Sequence, residues 1–256
     1  MRKGLLNSIV AAALAIPAVA GAVQLPELPE EKTRDSLKQH IANQGKVVGM
    51  ATIQSGDIHV VETDDGSHYY ITGNRRYLIE GRIVDLWRKI EITSLDQART
   101  SSRVLPKHFG ITDDSLPLLK VGNPSLPRMG YVFVDPNCGY CKQLMQFMED
   151  NKDKYHFDLV LTPIMGERSA LRAQQLWCAK DRNKATRDLI FQSNSDNPAK
   201  SDCDARPLAQ AEVLRQMVGV RGVPFLLRED GLTLGGLPKG KDNGIGTGLD
   251  EWLARL

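Results

Sequence analysis

The chain has 256 residues, enough for one large domain or two small ones. Its 41% hydrophobic and 25% charged residues are the proportions of an ordinary soluble globular protein, which argues against a disordered, collagen-like or disulfide-dense chain. Lys and Arg number 33 against 31 Asp and Glu, a net charge of +2, so there is no electrostatic case for a nucleic-acid partner.

The first residues set the compartment. Arg2 and Lys3 form a positive start, and an apolar stretch from Leu5 to Ile16 follows. Ala18-Val19-Ala20 and Ala20-Gly21-Ala22 offer small-x-small cleavage sites. This three-part pattern predicts a secretory signal peptide over residues 1–22. The alternative is a membrane anchor, but the apolar run is shorter than the ~20 residues that span a bilayer. The mature chain is expected to be soluble and exported, starting near Gly21 or Val23. Outside the cytosol disulfides persist, and the four cysteines are read accordingly.

After the signal, Gln24 to Pro29 reads as extended and Glu30 to Asn43 as a helix, with Leu37 and Ile41 at i, i+4. From Lys46 the period changes to two. Strands are expected at Val47–Thr52, Asp57–Thr63, Ser67–Thr72, Arg75–Glu80 and Arg82–Trp87, separated by Gly-, Asp- and Asn-containing turns. Residues 23–93 thus form a small strand-rich domain. So small a module is marginal by itself, and its open edges invite pairing with a second chain. Residues 94–128 lose the strand pattern, are interrupted by Pro106, Pro117, Pro124 and Pro127, and read as a stiffened linker with a short helix over Asp96–Val104.

Residues 129–256 read as a second domain, an α/β sandwich around a mixed sheet. Tyr131 to Val134 suits a buried strand, followed by a helix carrying Cys141, Leu144, Met145 and Met148 on one face. Phe157–Ile164 reads as a strand. Arg168–Arg187 reads as one helix with Leu171, Leu176 and Trp177 apolar, and Ala209–Val218 as another helix. Phe225–Leu227 and Leu232–Leu234 flank a hairpin turn, and Leu249–Leu256 closes as an amphipathic helix.

The chemistry centres on Cys138 and Cys141. Residues at i and i+3 share a helical face ~5–6 Å apart, within the reach of a disulfide, so the pair can open and close with little backbone movement. Cys138 stands at the helix start, where unpaired N–H groups and the helix dipole favour the thiolate, the attacking species. Cys141, one turn inside, suits the resolving role, and Gly139 and Tyr140 between them tune the couple.

Three alternatives compete. Zinc needs four ligands, usually two close pairs, but Cys178 and Cys203 are 25 residues apart and no His adjoins either pair closely. Covalent haem attachment needs His after the second Cys, where Lys142 stands. An inert bridge over so short a loop would add little stability. Cys178 and Cys203 themselves favour a structural disulfide, worth ~3 kcal/mol on the chain-entropy view, over a second redox pair. Gly222-Val223-Pro224-Phe225 precedes an apolar strand. A cis Pro224 facing the dithiol would block metal binding there and leave the Val223 backbone free to pair with a substrate strand.

Taken together, these residues resemble the DsbC/DsbG family of periplasmic thiol:disulfide interchange proteins. Phe133-Val134-Asp135 leading into Cys138-Gly139-Tyr140-Cys141 has the DsbC form of the motif. Trp177 to Asp181, then Asn183-Lys184-Ala185, resembles the family's structural-disulfide helix with Cys203 as partner. Gly219 to Pro224 resembles its cis-proline loop, and the segment through Arg82-Ile83-Val84-Asp85 its dimerisation domain.

The resemblance implies an α+β chain, with an N-terminal cystatin-like dimerisation domain and a C-terminal thioredoxin fold carrying a helical insertion. It implies a V-shaped homodimer in the periplasm whose cleft binds misfolded exported proteins. Cys138 would attack a wrong disulfide, and a membrane electron donor of the DsbD type would keep the pair reduced. No cofactor or metal is implied. Two departures stand out. Val223 occupies the position where the DsbC pattern has Thr and the oxidant DsbA has Val, and Val132 stands where thioredoxin carries a buried acid. A dedicated oxidant and a non-catalytic chaperone or assembly scaffold are the rival functions.

Overall fold

The computed structural model describes residues 45–53 and 57–255. The expected signal peptide and the helix expected over Glu30–Asn43 lie outside the described residues.

The first module is a four-stranded antiparallel meander in the order β1 (Val47–Ile53), β2 (Ile58–Thr63), β3 (His68–Thr72) and β4 (Leu78–Glu80). The period-two pattern buries Ala51, Ile53, Val60 and Tyr70 on one face, packed with Ile92 and Ala98. Ala98 lies on α1 (Leu95–Ser101), whose first turn is capped by the Ser94 hydroxyl accepting from Gln97 N. Val61, Tyr69 and Ile71 form a second cluster.

Two strands are shorter than the pattern predicts. The Asn74 carboxamide accepts from Arg76 N and the Thr72 hydroxyl, and Arg75 takes a left-handed φ of 57°, so β4 begins only at Leu78. The Asp85 carboxylate accepts from the backbone N–H groups of Trp87 and Arg88 and turns the chain, so the strand expected through Trp87 ends at Asp85. What remains is a small hairpin of β5 (Val84–Asp85) with β6 (Ile90–Glu91).

The stretch expected to lack strands contains one. Leu118–Gly122 forms β7, an edge strand of the second sheet, antiparallel to β9 (His156–Leu161). Leu119 and Val121 are buried and Lys120 is exposed. That alternation is only five residues long between Pro117 and Pro124, too short to stand out in the sequence.

The second sheet runs β11-β10-β8-β9-β7, with β8 (Gly130–Val134), β9 (His156–Leu161), β10 (Phe225–Arg228) and β11 (Thr233–Gly235). β8 and β9 are parallel, joined through α2 (Gly139–Asp150), and the other pairs are antiparallel. β8 is the central strand and fully buried. Its Val132 and Val134 pack with Leu144, Met145 and Met148 of α2 and Trp252 of α6 (Ile245–Leu253). Tyr131 and Phe133 pack with Ala211, Leu214 and Val218 of α5 (Arg206–Val218).

The single helix expected over Arg168–Arg187 is two helices, α3 (Glu167–Cys178) and α4 (Arg182–Phe191). The chain turns extended at Ala179, which bridges to Ala199, and the Asp181 carboxylate accepts from Lys184 N to start α4 afresh. Leu171, expected on an apolar face, is 55% exposed. Among the described residues no helix is long and apolar enough to cross a membrane.

β7 is held against the second domain through a glycine. Gly122 has φ +81°, and a Cβ there would lie 2.0 Å from the Tyr155 carbonyl oxygen. Gly122→Ala is expected to cost about 2–4 kcal/mol, combining left-handed strain with a backbone collision. A urea titration reads this as a lower midpoint with unchanged slope. An unchanged midpoint would mean that β7 is not docked as described.

Candidate active site

The dithiol sits where β8 gives way to α2. Asp135, Pro136 and Asn137 make the turn: Cys138 N donates to the Asp135 carbonyl at 3.1 Å and Asn137 N to the Asp135 carboxylate at 2.8 Å. Cys138 caps the helix in an extended conformation, and its Sγ accepts the Cys141 N–H at 3.1 Å. A side-chain oxygen normally fills that position, so the sulfur meets one of the orphan donors of the first turn.

On its other side, the Cys138 thiol lies 3.6 Å from the Val223 carbonyl oxygen as donor. The Val223-Pro224 peptide bond is cis. β10 begins at the next residue and pairs Phe225 with Phe133 of β8, which brings the loop over the dithiol. The structure therefore brings together Cys138, Cys141 and Val223, with Pro224 adjoining. Gly139 and Tyr140 stand exposed at the helix start, Tyr140 by 63%.

The two cysteines are free thiols in unlike surroundings. Cys138 is 5% exposed and Cys141 not at all. Burial pushes the Cys141 thiol far above the ordinary range, and its hydrogen bond to Cys138 adds to this. Cys141 is thus a neutral thiol at physiological pH.

Cys178 and Cys203 are disulfide-bonded, with Cα atoms 5.4 Å apart, in the helical region between β9 and β10. Trp177 beside the bridge donates its ring N–H to the Asp204 carbonyl and lies under the Arg182 guanidinium at 3.8 Å. Among the described residues no group of three or more His, Cys, Asp or Glu side chains could hold a metal ion.

Several site residues escaped the sequence reading. Asp135 is wholly buried, and besides Asn137 N its carboxylate accepts from the Ser169 hydroxyl at 2.7 Å and Met165 N at 2.8 Å. The Asn137 carboxamide donates to Ser169 Oγ at 2.9 Å. The Gln192 carboxamide donates to the carbonyls of Pro136 and Cys138, both at 3.3 Å. An acid directly after an apolar strand was the available signal for Asp135. Gln192 and Ser169, 54 and 31 residues beyond Cys138, left none.

A family profile described as Thioredoxin-like domain matches residues 123–241. A protein of Bordetella parapertussis named Probable thiol:disulfide interchange protein DsbC is 29% identical over 229 residues, covering 87% of this chain and 74% of its own. The Escherichia coli K12 protein named Thiol:disulfide interchange protein DsbC is 27% identical over 199 residues, 77% of this chain and 75% of its own. A solved disulfide interchange protein from Neisseria gonorrhoeae superposes with a TM-score of 0.42 at 26% identity, over 49% of this chain and 88% of that one.

The unequal thiols generate a measurable asymmetry. In the native reduced protein, iodoacetamide at pH 7 is expected to modify Cys138 and to leave Cys141 unmodified until the fold is opened, as peptide mass spectrometry would read. The raised Cys141 thiol also links to stability. An unfolded thiol ionises near pH 8.5 while the folded one keeps its proton, so the unfolded state binds fewer protons above that pH. This contribution is fully present below about pH 8.5 and is lost as pH rises beyond it. The urea midpoint of the reduced protein should fall between pH 8 and 10 more steeply than that of Cys141→Ala. Parallel curves would contradict the assignment.

Proposed function

We propose that this chain, which is similar to thiol:disulfide interchange proteins named DsbC, is a periplasmic disulfide isomerase of the DsbC/DsbG type that rearranges wrong disulfides in exported proteins. The observation that carries this reading is the seat of the Cys138 sulfur, between the Cys141 N–H and the Val223 carbonyl.

Cys138, as thiolate, attacks one sulfur of a substrate disulfide. An S–S bond forms between Cys138 and that sulfur, and the other substrate sulfur leaves as a thiolate. A second substrate thiolate can then attack the substrate sulfur of the mixed disulfide. That forms a new substrate disulfide and returns Cys138 as thiolate, with no net electron transfer. Alternatively the Cys141 sulfur attacks Cys138, releases the substrate reduced and leaves Cys138–Cys141 oxidised. That branch requires two electrons from a donor, and a membrane protein of the DsbD type fits the need.

The Cys141 N–H favours negative charge on Cys138 in attack and on its departure from the mixed disulfide. The Val223 backbone supplies an edge for an extended substrate segment, with Pro224, Gly139 and Tyr140 as the surface around it. The Cys178–Cys203 bridge holds the helical insertion in shape.

The first module is the dimerisation domain in this reading. Its edge strand β1 exposes Val47, Val48 and Met50, which supports pairing with a second copy into a homodimer. The clients are misfolded exported proteins with non-native disulfides. One observation favours a second reading: Val223, rather than Thr, precedes Pro224, as in the oxidant DsbA.

The test is refolding of a scrambled disulfide protein in a glutathione buffer. Cys138→Ala should reduce rearrangement to the uncatalysed rate, and Cys141→Ala should retain part of it, since the isomerase branch uses only Cys138. Full activity in Cys138→Ala would end the catalytic reading. A pair found mostly oxidised by thiol trapping in cells would favour the oxidant.

A further inference from the structure

Asp135 is the only carboxylate among the described residues with no solvent exposure at all. A buried charge persists only where its hydrogen bonds are supplied. Three donors meet this one: Asn137 N and the Ser169 hydroxyl on Oδ1, and Met165 N on Oδ2. The two backbone N–H groups can only donate, and Ser169 Oγ itself receives the Asn137 carboxamide. Every partner therefore addresses an acceptor, the pattern of an ionised carboxylate.

The position of this charge is specific. The Asp135 carbonyl receives the Cys138 N–H, and the Cys138 sulfur receives the Cys141 N–H. Asp135 is thus two hydrogen bonds from the first turn of α2, in a region of low dielectric where charge reaches further than in water. The titratable groups facing Cys141 are Cys138, on its own helix, and Asp135, at the end of β8. The cluster around them is otherwise apolar.

We propose that Asp135 is a positioning residue whose buried charge keeps Cys141 protonated and so lengthens the life of the Cys138 mixed disulfide, which favours isomerisation over reduction. This rests on the interchange reading above. The Cys141 thiol must ionise to attack Cys138, and a neighbouring anion opposes that ionisation. In the reduced protein burial raises the Cys141 thiol most and its hydrogen bond with Cys138 next, a backbone hydrogen bond at Asp135 lowers it, and the charges of Cys138 and then Asp135 add smaller increments. In the mixed disulfide Cys138 carries neither proton nor charge, so burial and Asp135 are what remain to act on Cys141. A slow Cys141 leaves time for a substrate thiolate to attack first.

The magnitude follows from thiol chemistry. A tenfold larger thiolate fraction speeds attack by only about threefold, because nucleophilicity falls with basicity at a Brønsted slope of about 0.4–0.5.

The experiment loads the full-length reduced protein with glutathione at Cys138 and follows glutathione release by Cys141 from pH 5 to 9. In the parent, release should rise with pH across the whole range. In Asp135→Asn it should be faster at pH 7, by about threefold for each tenfold gain in thiolate fraction, with its rise displaced to lower pH. Ser169→Ala removes one donor and loosens the same loop but keeps the charge, so its profile should follow the parent. If Asp135→Asn superposes on the parent, or Ser169→Ala shifts as far as Asp135→Asn, the charge role is overturned. Should the asparagine variant not fold, Asp135→Ser takes its place with the same expectation. Failure of the parent to form the mixed disulfide at Cys138 would instead refute the interchange reading.

Discussion

Everything at this site depends on one donor meeting one sulfur: the Cys141 N–H directed at Cys138 Sγ across 3.1 Å. It exists because a strand ends and a helix begins within four residues, and the first turn of any helix leaves N–H groups without intrahelical partners. Elsewhere such donors go to Ser, Asp or water. Here a polarizable sulfur takes the place, and the geometry that completes the helix is also what seats the Cys138 sulfur. The seat is rigid because β8 is the central strand of the five-stranded sheet and has no solvent face.

From that seat the chemistry divides unequally. Cys138 remains at the edge of solvent beside the exposed Gly139 and Tyr140, while one turn of helix carries Cys141 into the apolar cluster with Leu144, Met145 and Met148. Two identical side chains three residues apart thereby sit in unlike surroundings, and burial raises the Cys141 thiol. A pair with equal thiols would have no built-in order of attack. In the proposed reaction helical geometry supplies the first part of that order, and the turn before the helix, which carries Asp135, decides how firmly it is held.

The parts legible in the sequence were those with a local period. The fully apolar β8, the α2 face and the β10–β11 hairpin were each read close to their observed limits, and the i, i+3 spacing of Cys138 and Cys141 implied their shared face. Cys178 is bonded to Cys203, and the Val223-Pro224 bond is cis. What escaped was set by tertiary partners. β7 is defined by pairing with β9, and its own five residues carry almost no pattern. The break between α3 and α4 follows from the Ala179–Ala199 bridge and the Asp181 cap, in a stretch whose helix-favouring composition runs straight through. Gln192 left no signal for the same reason, and Asp135 showed only as an acid after an apolar strand, with its partners hidden. Their roles come from hydrogen bonds to backbone groups that only the assembled fold brings near.

The path between the two modules also leads to the dithiol. Val104 N, just past α1, donates to the Gly231 carbonyl at 3.0 Å, and the Arg103 guanidinium pairs with Asp230. The Arg88 guanidinium donates in turn to the Arg103 carbonyl at 2.9 Å, and Trp87 stands edge-on to Phe109 with ring centroids 4.6 Å apart. Gly231 allows no side chain, since a Cβ there would lie 2.7 Å from Val104 N. Asp230 and Gly231 form the turn of the β10–β11 hairpin, and β10 starts at Phe225, one residue after Pro224. The connector therefore grips one end of the strand whose other end carries the Val223 carbonyl against Cys138. A backbone-to-backbone bond and a charge pair at one turn resist rotation better than a single contact would, and the Trp87–Phe109 contact ties the first module to the same connector. The orientation of the first module and the geometry over the reactive sulfur are thus referred to the same short strand.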